Sequence, residues 1–284
     1  MHISLSVSPD ADDLFMVRGL LEGRIDTGRY RFEIGSSPTD ALNRLASSAD
    51  APEVLAISIG HYPQIADRYQ LLPHGGSMGE GYGPVVVSTT PGTLDDLHGR
   101  KLAIPGHTTT AWMVLRLLLG AGRVPDAVEI PIAPHERVFE ALETGEVDFA
   151  LLIHEGRLTY GTRGLQKVID IGEAWAQTSQ GLPLPLGANV IRRDLGPDTI
   201  RELSELMRQS IRFALEDREA SIDWLLAKGG ALSTRDQVSR YLSMYANERT
   251  LDYGEDGRKA IELLFRRAVD AGFLSAMPPV DFAP

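Results

Sequence analysis

Twice along this chain, short apolar strand-like runs alternate with amphipathic helix-like segments, and few folds accommodate that rhythm. Residues 2–8 bring Ile3, Leu5 and Val7 to one face, the period of a half-buried strand. Pro9 ends the run, Asp10, Asp12 or Asp13 can cap a helix over 14–22, and Gly23 stops it. Further strands are predicted over 30–35 and 54–59, with a helix over 39–47 and a helical turn over 62–68. This block predicts a parallel, helix-covered sheet. A second block places strands over 101–104, 128–132 and 147–153, with helices over 111–119 and 137–143. A strand over 189–192 then leads into helices over 200–215, 220–228, 235–245 and 255–271. The plan is one lobe of residues 1–88 plus 190–284 and an inserted α/β lobe of residues 89–189. Two crossings, near 89–92 and 185–189, suit a hinged protein with a central cleft, where ligands usually bind.

Composition narrows the functional classes. With 284 residues, 43% hydrophobic and 24% charged, the chain can bury a sizeable core. It has no cysteine, which excludes disulfides, thiolate metal sites and cysteine nucleophiles. A net charge of −11 argues against nucleic acid or an anionic membrane as partner. A small anionic substrate is compatible with it, given a local cluster of donors. The N-terminus lacks a basic region, and acids enter by Asp10 where a signal peptide would stay apolar. The longest apolar stretch, 111–119, is cut by Arg116, so a cytoplasmic protein without a membrane span is expected. Oligomeric state is not legible.

Candidate chemistry concentrates at a few positions. His154 ends the run Asp148-Phe149-Ala150-Leu151-Leu152-Ile153, and the carboxyl ends of strands in open α/β sheets face ligand crevices. Histidine also suits proton transfer near neutral pH, although a hydrogen-bonded histidine at a sheet edge fits the same position. Gly106-His107-Thr108-Thr109-Thr110 opens a helix with three hydroxyls, either an anion site or plain capping. Ser58, near the end of its strand, could donate into a cleft or bond its own turn. Asp13 could meet substrate hydroxyls or complement the helix start. Neither His135-Glu136 nor His154-Glu155 has the partner histidine of a helical zinc motif, and no metal is expected. No Gly-x-Ser-x-Gly elbow supports a hydrolase. The glycine-dense run from Gly75 to Gly83 precedes a strand, so it is not a dinucleotide loop.

Several segments together resemble one family: Ser8-Pro9-…-Asp13-…-Phe15, Gly75-Gly76-…-Gly83-Pro84, Ile104-Pro105-Gly106-…-Thr109-Thr110-Ala111, Leu152-Ile153-His154-Glu155-Gly156-Arg157 and Gly181-Leu182-Pro183-Leu184-Pro185-Leu186-Gly187. They are similar to the 1,4-dihydroxy-6-naphthoate synthases of the futalosine route to menaquinone. Where many members read Ser-Pro-Cys-Pro-Asn-Asp, this chain reads Ser8-Pro9-Asp10-Ala11-Asp12-Asp13 and keeps the last aspartate. The resemblance implies a periplasmic-binding-protein-like (type II) fold of two α/β lobes with a central ligand cleft. It implies a lyase that converts cyclic dehypoxanthinyl futalosine to 1,4-dihydroxy-6-naphthoate and a three-carbon sugar fragment, with no cofactor. Carried over, the base is His154, and the substrate-binding positions are Ala56, Ile57, Ser58, Thr109 and Thr110, with Asp13 kept as a further contact. The sister chorismate dehydratase and a non-catalytic binding protein share the implied fold and stand as alternatives.

Overall fold

The computed structural model describes residues 1–120, 122–131 and 136–284. Its strands in chain order are β1 (His2–Val7), β2 (Arg31–Ser36), β3 (Val54–Ser58), β4 (Tyr69–Leu71), β5 (Ser77–Gly79), β6 (Val85–Ser88), β7 (Lys101–Ile104), β8 (Asp126–Glu129), β9 (Phe149–Leu152), β10 (Gln166–Asp170) and β11 (Leu184–Arg192). The helices are α1 (Ala11–Leu21), α2 (Thr39–Ala46), α3 (Thr110–Leu119), α4 (Glu136–Glu143), α5 (Gly156–Thr159), α6 (Ile171–Thr178), α7 (Pro197–Glu216), α8 (Arg218–Lys228), α9 (Arg235–Tyr245), α10 (Glu248–Leu251) and α11 (Gly254–Asp270). They form two compact units, Met1–Met78 with Gly187–Glu255 and Pro278–Pro284, and Gly79–Leu186 with Asp256–Met277.

In the first unit the described strands run β2-β1-β3-β11-β4, with β5 against β11. β1 is parallel to β2 and β3, whereas β11 is antiparallel to β3 and β4. Ile3, Leu5 and Val7 bury one face of β1 against Leu203 and Met207 of α7, as the alternation demands. All five residues of β3 are buried, fitting a central strand covered on both faces. α1 lies close on α7: Ser210 Oγ donates to the Met16 carbonyl at 2.8 Å and accepts from Leu20 N–H at 3.3 Å. The last residues seal β4. Leu71 bridges Phe282, Ala283 N–H donates to the Leu71 carbonyl at 2.7 Å, and Arg193 holds Asp281.

In the second unit the order is β10-β6-β9-β7-β8. β7 is parallel to β8 and β9, while β6 is antiparallel to β9 and β10. Its core gathers Val85, Val87, Ala103, Phe139, Leu142, Ala150 and Leu152.

Four expectations change. The sheets are mixed rather than parallel, because β6 and β11 run against their neighbours. The expected boundary at 88/89 moves to 78/79, since β6 is hydrogen-bonded on both sides within the second sheet. Residues 256–277 also join the second unit rather than the first. There Arg267 donates to Thr178 Oγ1 at 3.0 Å and lies over Trp175, and Arg116 lies 3.7 Å over the Phe273 ring. The strand expected over 128–132 is β8, which runs over Asp126–Glu129 instead; Ile132, like His135, lies outside the described residues. Among the described residues, no helix is long and apolar enough to cross a membrane.

Candidate active site

In the first unit, the expected contacts gather at the carboxyl ends of adjacent parallel strands, where open α/β sheets hold ligands. Leu5 of β1 pairs with Val54 of β3, so Ser8 and Asp13 follow one strand end while Ser58 closes the next. Asp13 Oδ2 accepts the Ser8 N–H at 2.7 Å. The Ser8 hydroxyl donates to Asp10 Oδ2 at 2.7 Å, and buried Asp12 accepts from Tyr241 Oη at 3.0 Å. Asp10 and Asp13 thus shape the turn from β1 into α1, while Asp12 ties α1 to α9.

Ser58 is held from α2. Asn43, fully buried, accepts the Ser58 N–H on Oδ1 at 2.9 Å and donates from Nδ2 to Ser58 Oγ at 3.1 Å. The serine hydroxyl thus acts as an acceptor toward Asn43 and keeps its own proton to donate. Ala56 and Ser58 of β3 pair with Asn189 and Gly187 of β11, which places these four residues on one sheet face. Asn189 is 1% exposed, and neither its Oδ1 nor its Nδ2 has a hydrogen-bond partner among the described residues. A buried carboxamide left this way costs about 1–3 kcal/mol per group, which a buried water or a group from outside the chain would offset. Ile57 points to the opposite face and is core.

Two further histidines of this unit are structural. His61 Nε2 lies 3.0 Å from Ser47 Oγ, and His74 Nε2 lies 3.2 Å from Ser204 Oγ. Burial pushes both imidazoles down to about 4, which keeps them neutral.

In the second unit the pattern recurs on β7 and β9, adjacent and parallel. β7 runs into Gly106 and the start of α3. Thr109 is the N-cap, accepting the Trp112 N–H at 3.3 Å and donating its proton to the Gly106 carbonyl at 2.8 Å. Thr110 donates to the Leu186 carbonyl at 2.6 Å. Both hydroxyl protons are therefore committed to the protein, and what this helix start offers an anion is backbone N–H groups.

β9 runs into His154. This half-buried residue has φ +48, one of two non-glycine residues with positive φ among those described. Such a left-handed backbone costs on the order of 1–3 kcal/mol and collects at functional sites. Immediately after it, Arg157 pairs with Asp170 and donates from Nε to the Gly83 carbonyl. Among the described residues, no group of three or more His, Cys, Asp or Glu could hold a metal ion.

Asp13, Ala56, Ile57 and Ser58 thus belong to the first unit, and Thr109, Thr110 and His154 to the second. Sequence reasoning missed Asn43 and Asn189. For Asn43 the signal was present, an amide on the apolar face of α2 between Leu42 and Ala46; Asn189 sits in an ordinary strand pattern and gave none.

The comparisons with known proteins converge. A menaquinone-biosynthesis family model matches residues 3–270. The 1,4-dihydroxy-6-naphthoate synthase of Streptomyces coelicolor is 36% identical over 278 residues, covering 98% of this chain and 96% of that protein. Its namesake in Thermus thermophilus is 37% identical over 276 residues, covering 97% of each. A solved protein from Archaeoglobus fulgidus superposes with a TM-score of 0.87 at 37% identity, over 96% of this chain and 98% of its own. The alkanesulfonate-binding protein of Xanthomonas axonopodis pv. citri, solved with MOPS bound, superposes with a TM-score of 0.68 at 13% identity. It covers 99% of this chain and 96% of its own, a likeness that shows the fold alone. The fold is that of the periplasmic binding proteins, and the chain belongs to the menaquinone-biosynthesis family.

Proposed function

We propose that this protein is a 1,4-dihydroxy-6-naphthoate synthase, acting on cyclic dehypoxanthinyl futalosine with His154 as the base. The observation that carries the reading is His154 itself: a half-buried imidazole held in a strained backbone just past the carboxyl end of β9. Left-handed backbone at non-glycine residues collects at functional sites, and this residue carries the one imidazole the resemblance makes a base. Family membership supplies the reaction class.

The chemistry needs one base. The imidazole takes a proton from a substrate hydroxyl, and the O–H electron pair becomes the second bond of a new carbonyl. The adjacent carbon–carbon bond breaks, and its electrons pass to the carbon beside the ring ketone as an enolate. Protonation and aromatisation then give the dihydroxynaphthoate, and the three-carbon fragment leaves as a carbonyl compound. Protons and electrons balance without a redox partner. The other residues bind and orient. The backbone N–H groups at the start of α3, built by Thr109 and Thr110, suit the aryl carboxylate. Ser58 keeps a proton to donate, and Asn189 offers both a donor and an acceptor on the same sheet face. Ala56 is small enough to let a ligand approach that face, and Asp13 shapes the turn beside it.

Incubation of the purified protein with cyclic dehypoxanthinyl futalosine, with products identified by mass, tests the reading. Formation of 1,4-dihydroxy-6-naphthoate is expected. Dehydration of chorismate instead would assign the chain to the sister enzyme, and tight binding with no turnover would make it a binding protein.

A further inference from the structure

The glycine-dense run ending at Gly83 is no nucleotide loop, and its place in the second unit gives it another role. β6 lies antiparallel to β9 with Val85 opposite Leu152, so Gly83 arrives beside the segment that leaves β9 through His154. Three residues beyond His154, Arg157 spans the gap. Its Nε donates to the Gly83 carbonyl, its Nη2 meets Asp170, and its guanidinium lies 5.5 Å from the centre of the Tyr82 ring. The Arg157 side chain is 12% exposed and that of Asp170 only 1%. Asp170 is itself fixed, because its other oxygen caps α6 by accepting Gly172 N–H at 2.9 Å and Glu173 N–H at 3.3 Å.

The backbone is fitted to this arrangement. A Cβ on Gly172 would run into the Tyr82 carbonyl, and one on Gly83 would stand 2.9 Å from Gly172 N. Only glycine at both places lets the two backbones meet and present the Gly83 carbonyl to Arg157. The Arg157 N–H also donates to the His154 carbonyl at 3.3 Å, so the turn that begins at His154, itself at positive φ, ends on the anchored arginine.

We propose that Arg157 is the positioning residue for His154, holding its strained turn by bridging the Gly83 carbonyl and the Asp170 carboxylate. The inference rests on the reading of His154 as the base. A planar guanidinium can satisfy a carbonyl and a carboxylate at once, whereas an ammonium offers the same charge without the fork. A base displaced by a fraction of an ångström still binds substrate but transfers its proton poorly.

The test compares His154→Ala, Arg157→Ala and Arg157→Lys with the parent protein, measuring kcat, KM and the thermal midpoint on the same samples. Arg157→Ala should lose about 10- to 100-fold in kcat with KM within about threefold, and added guanidinium ions should restore part of the rate. Arg157→Lys should fall between and serves as the test if the alanine variant does not fold. Parent-like kcat in folded Arg157→Ala or Arg157→Lys, while His154→Ala is inactive, would overturn the positioning role and leave the base standing. Activity surviving in His154→Ala would overturn the base instead. The positioning claim then has its own readout in the His154 ring proton resonances, assigned by their loss in His154→Ala. They should move in Arg157→Ala, and resonances that stay in place would overturn the claim. A rate loss that guanidinium does not relieve and that merely follows the unfolded fraction would overturn it too.

Discussion

The two units solve the same local problem with opposite chemistry. Each sets polar groups past the carboxyl ends of two adjacent parallel strands. In the first, Asn43 holds Ser58 so that a hydroxyl proton is left over, and the Asn189 carboxamide has no partner among the described residues. In the second, the protons of Thr109 and Thr110 are spent on backbone carbonyls, and the unusual group is a histidine under backbone strain. In the proposed reading the first set recognises a ligand and the second changes it. Fold alone does not distinguish such roles, since both arise from the same strand-end geometry; the hydrogen-bond partners do.

The largest expected effect tests the reactive half. His154→Ala should reduce kcat by about 10² to 10⁴ with the thermal midpoint unchanged, the usual worth of positioned general-base catalysis. The parent kcat should rise with pH as the imidazole loses its proton, and that limb should vanish in the variant. A folded variant with parent-like single turnover would erase the contrast between the units.

Acid should next separate the units by stability. His61 and His74, both in the first unit, have folded values of about 4, below the unfolded value of 6.5. Their contribution is complete above pH 6.5, falls as the pH drops from there toward 4, and is lost below. At pH 5 each costs on the order of 2 kcal/mol. Hydrogen exchange at pH 5 should show β3 and the segment around His74 opening before β7 and β9. Simultaneous opening would break the contrast.

A smaller effect sharpens the recognising half. Asn189→Leu removes an unpaired buried amide, so the thermal midpoint should hold or rise while KM increases about 3- to 10-fold, the worth of one or two hydrogen bonds. A raised midpoint with unchanged KM would make the carboxamide a structural liability rather than a contact. Smallest of all, Thr109→Val should lose a helix cap worth about 1 kcal/mol, lowering the midpoint by roughly 2–4 °C with KM within about twofold. A tenfold rise in KM would mean that the hydroxyl itself reaches substrate.

Much of this was legible in the residues. Ile3, Leu5 and Val7 announced β1, the helix over 235–245 matches α9 at both ends, and the run into His154 marked a strand end. Elements with weaker patterns escaped. β10, Gln166–Asp170, carries two exposed polar residues at its start, and β4 has only three residues. Pairing direction was also hidden, because Val85-Val86-Val87 reads as buried whichever sheet receives it. For the site, residue type gave position but not occupancy. A threonine looks the same in sequence whether its proton points at a substrate or at the Leu186 carbonyl.

The seal on β4 by the last residues carries a consequence for how the molecule is made. Leu71 meets its partner Phe282 only after 210 further residues have been added, and the segments between build the second unit in full. On a ribosome working from the N-terminus, the second unit can therefore close while β4 of the first still presents a bare edge. A nascent chain in that state is exposed to strand-to-strand aggregation until Asp281 reaches Arg193. Cover for this one edge therefore waits on the segment around Asp281, made after every segment of the second unit.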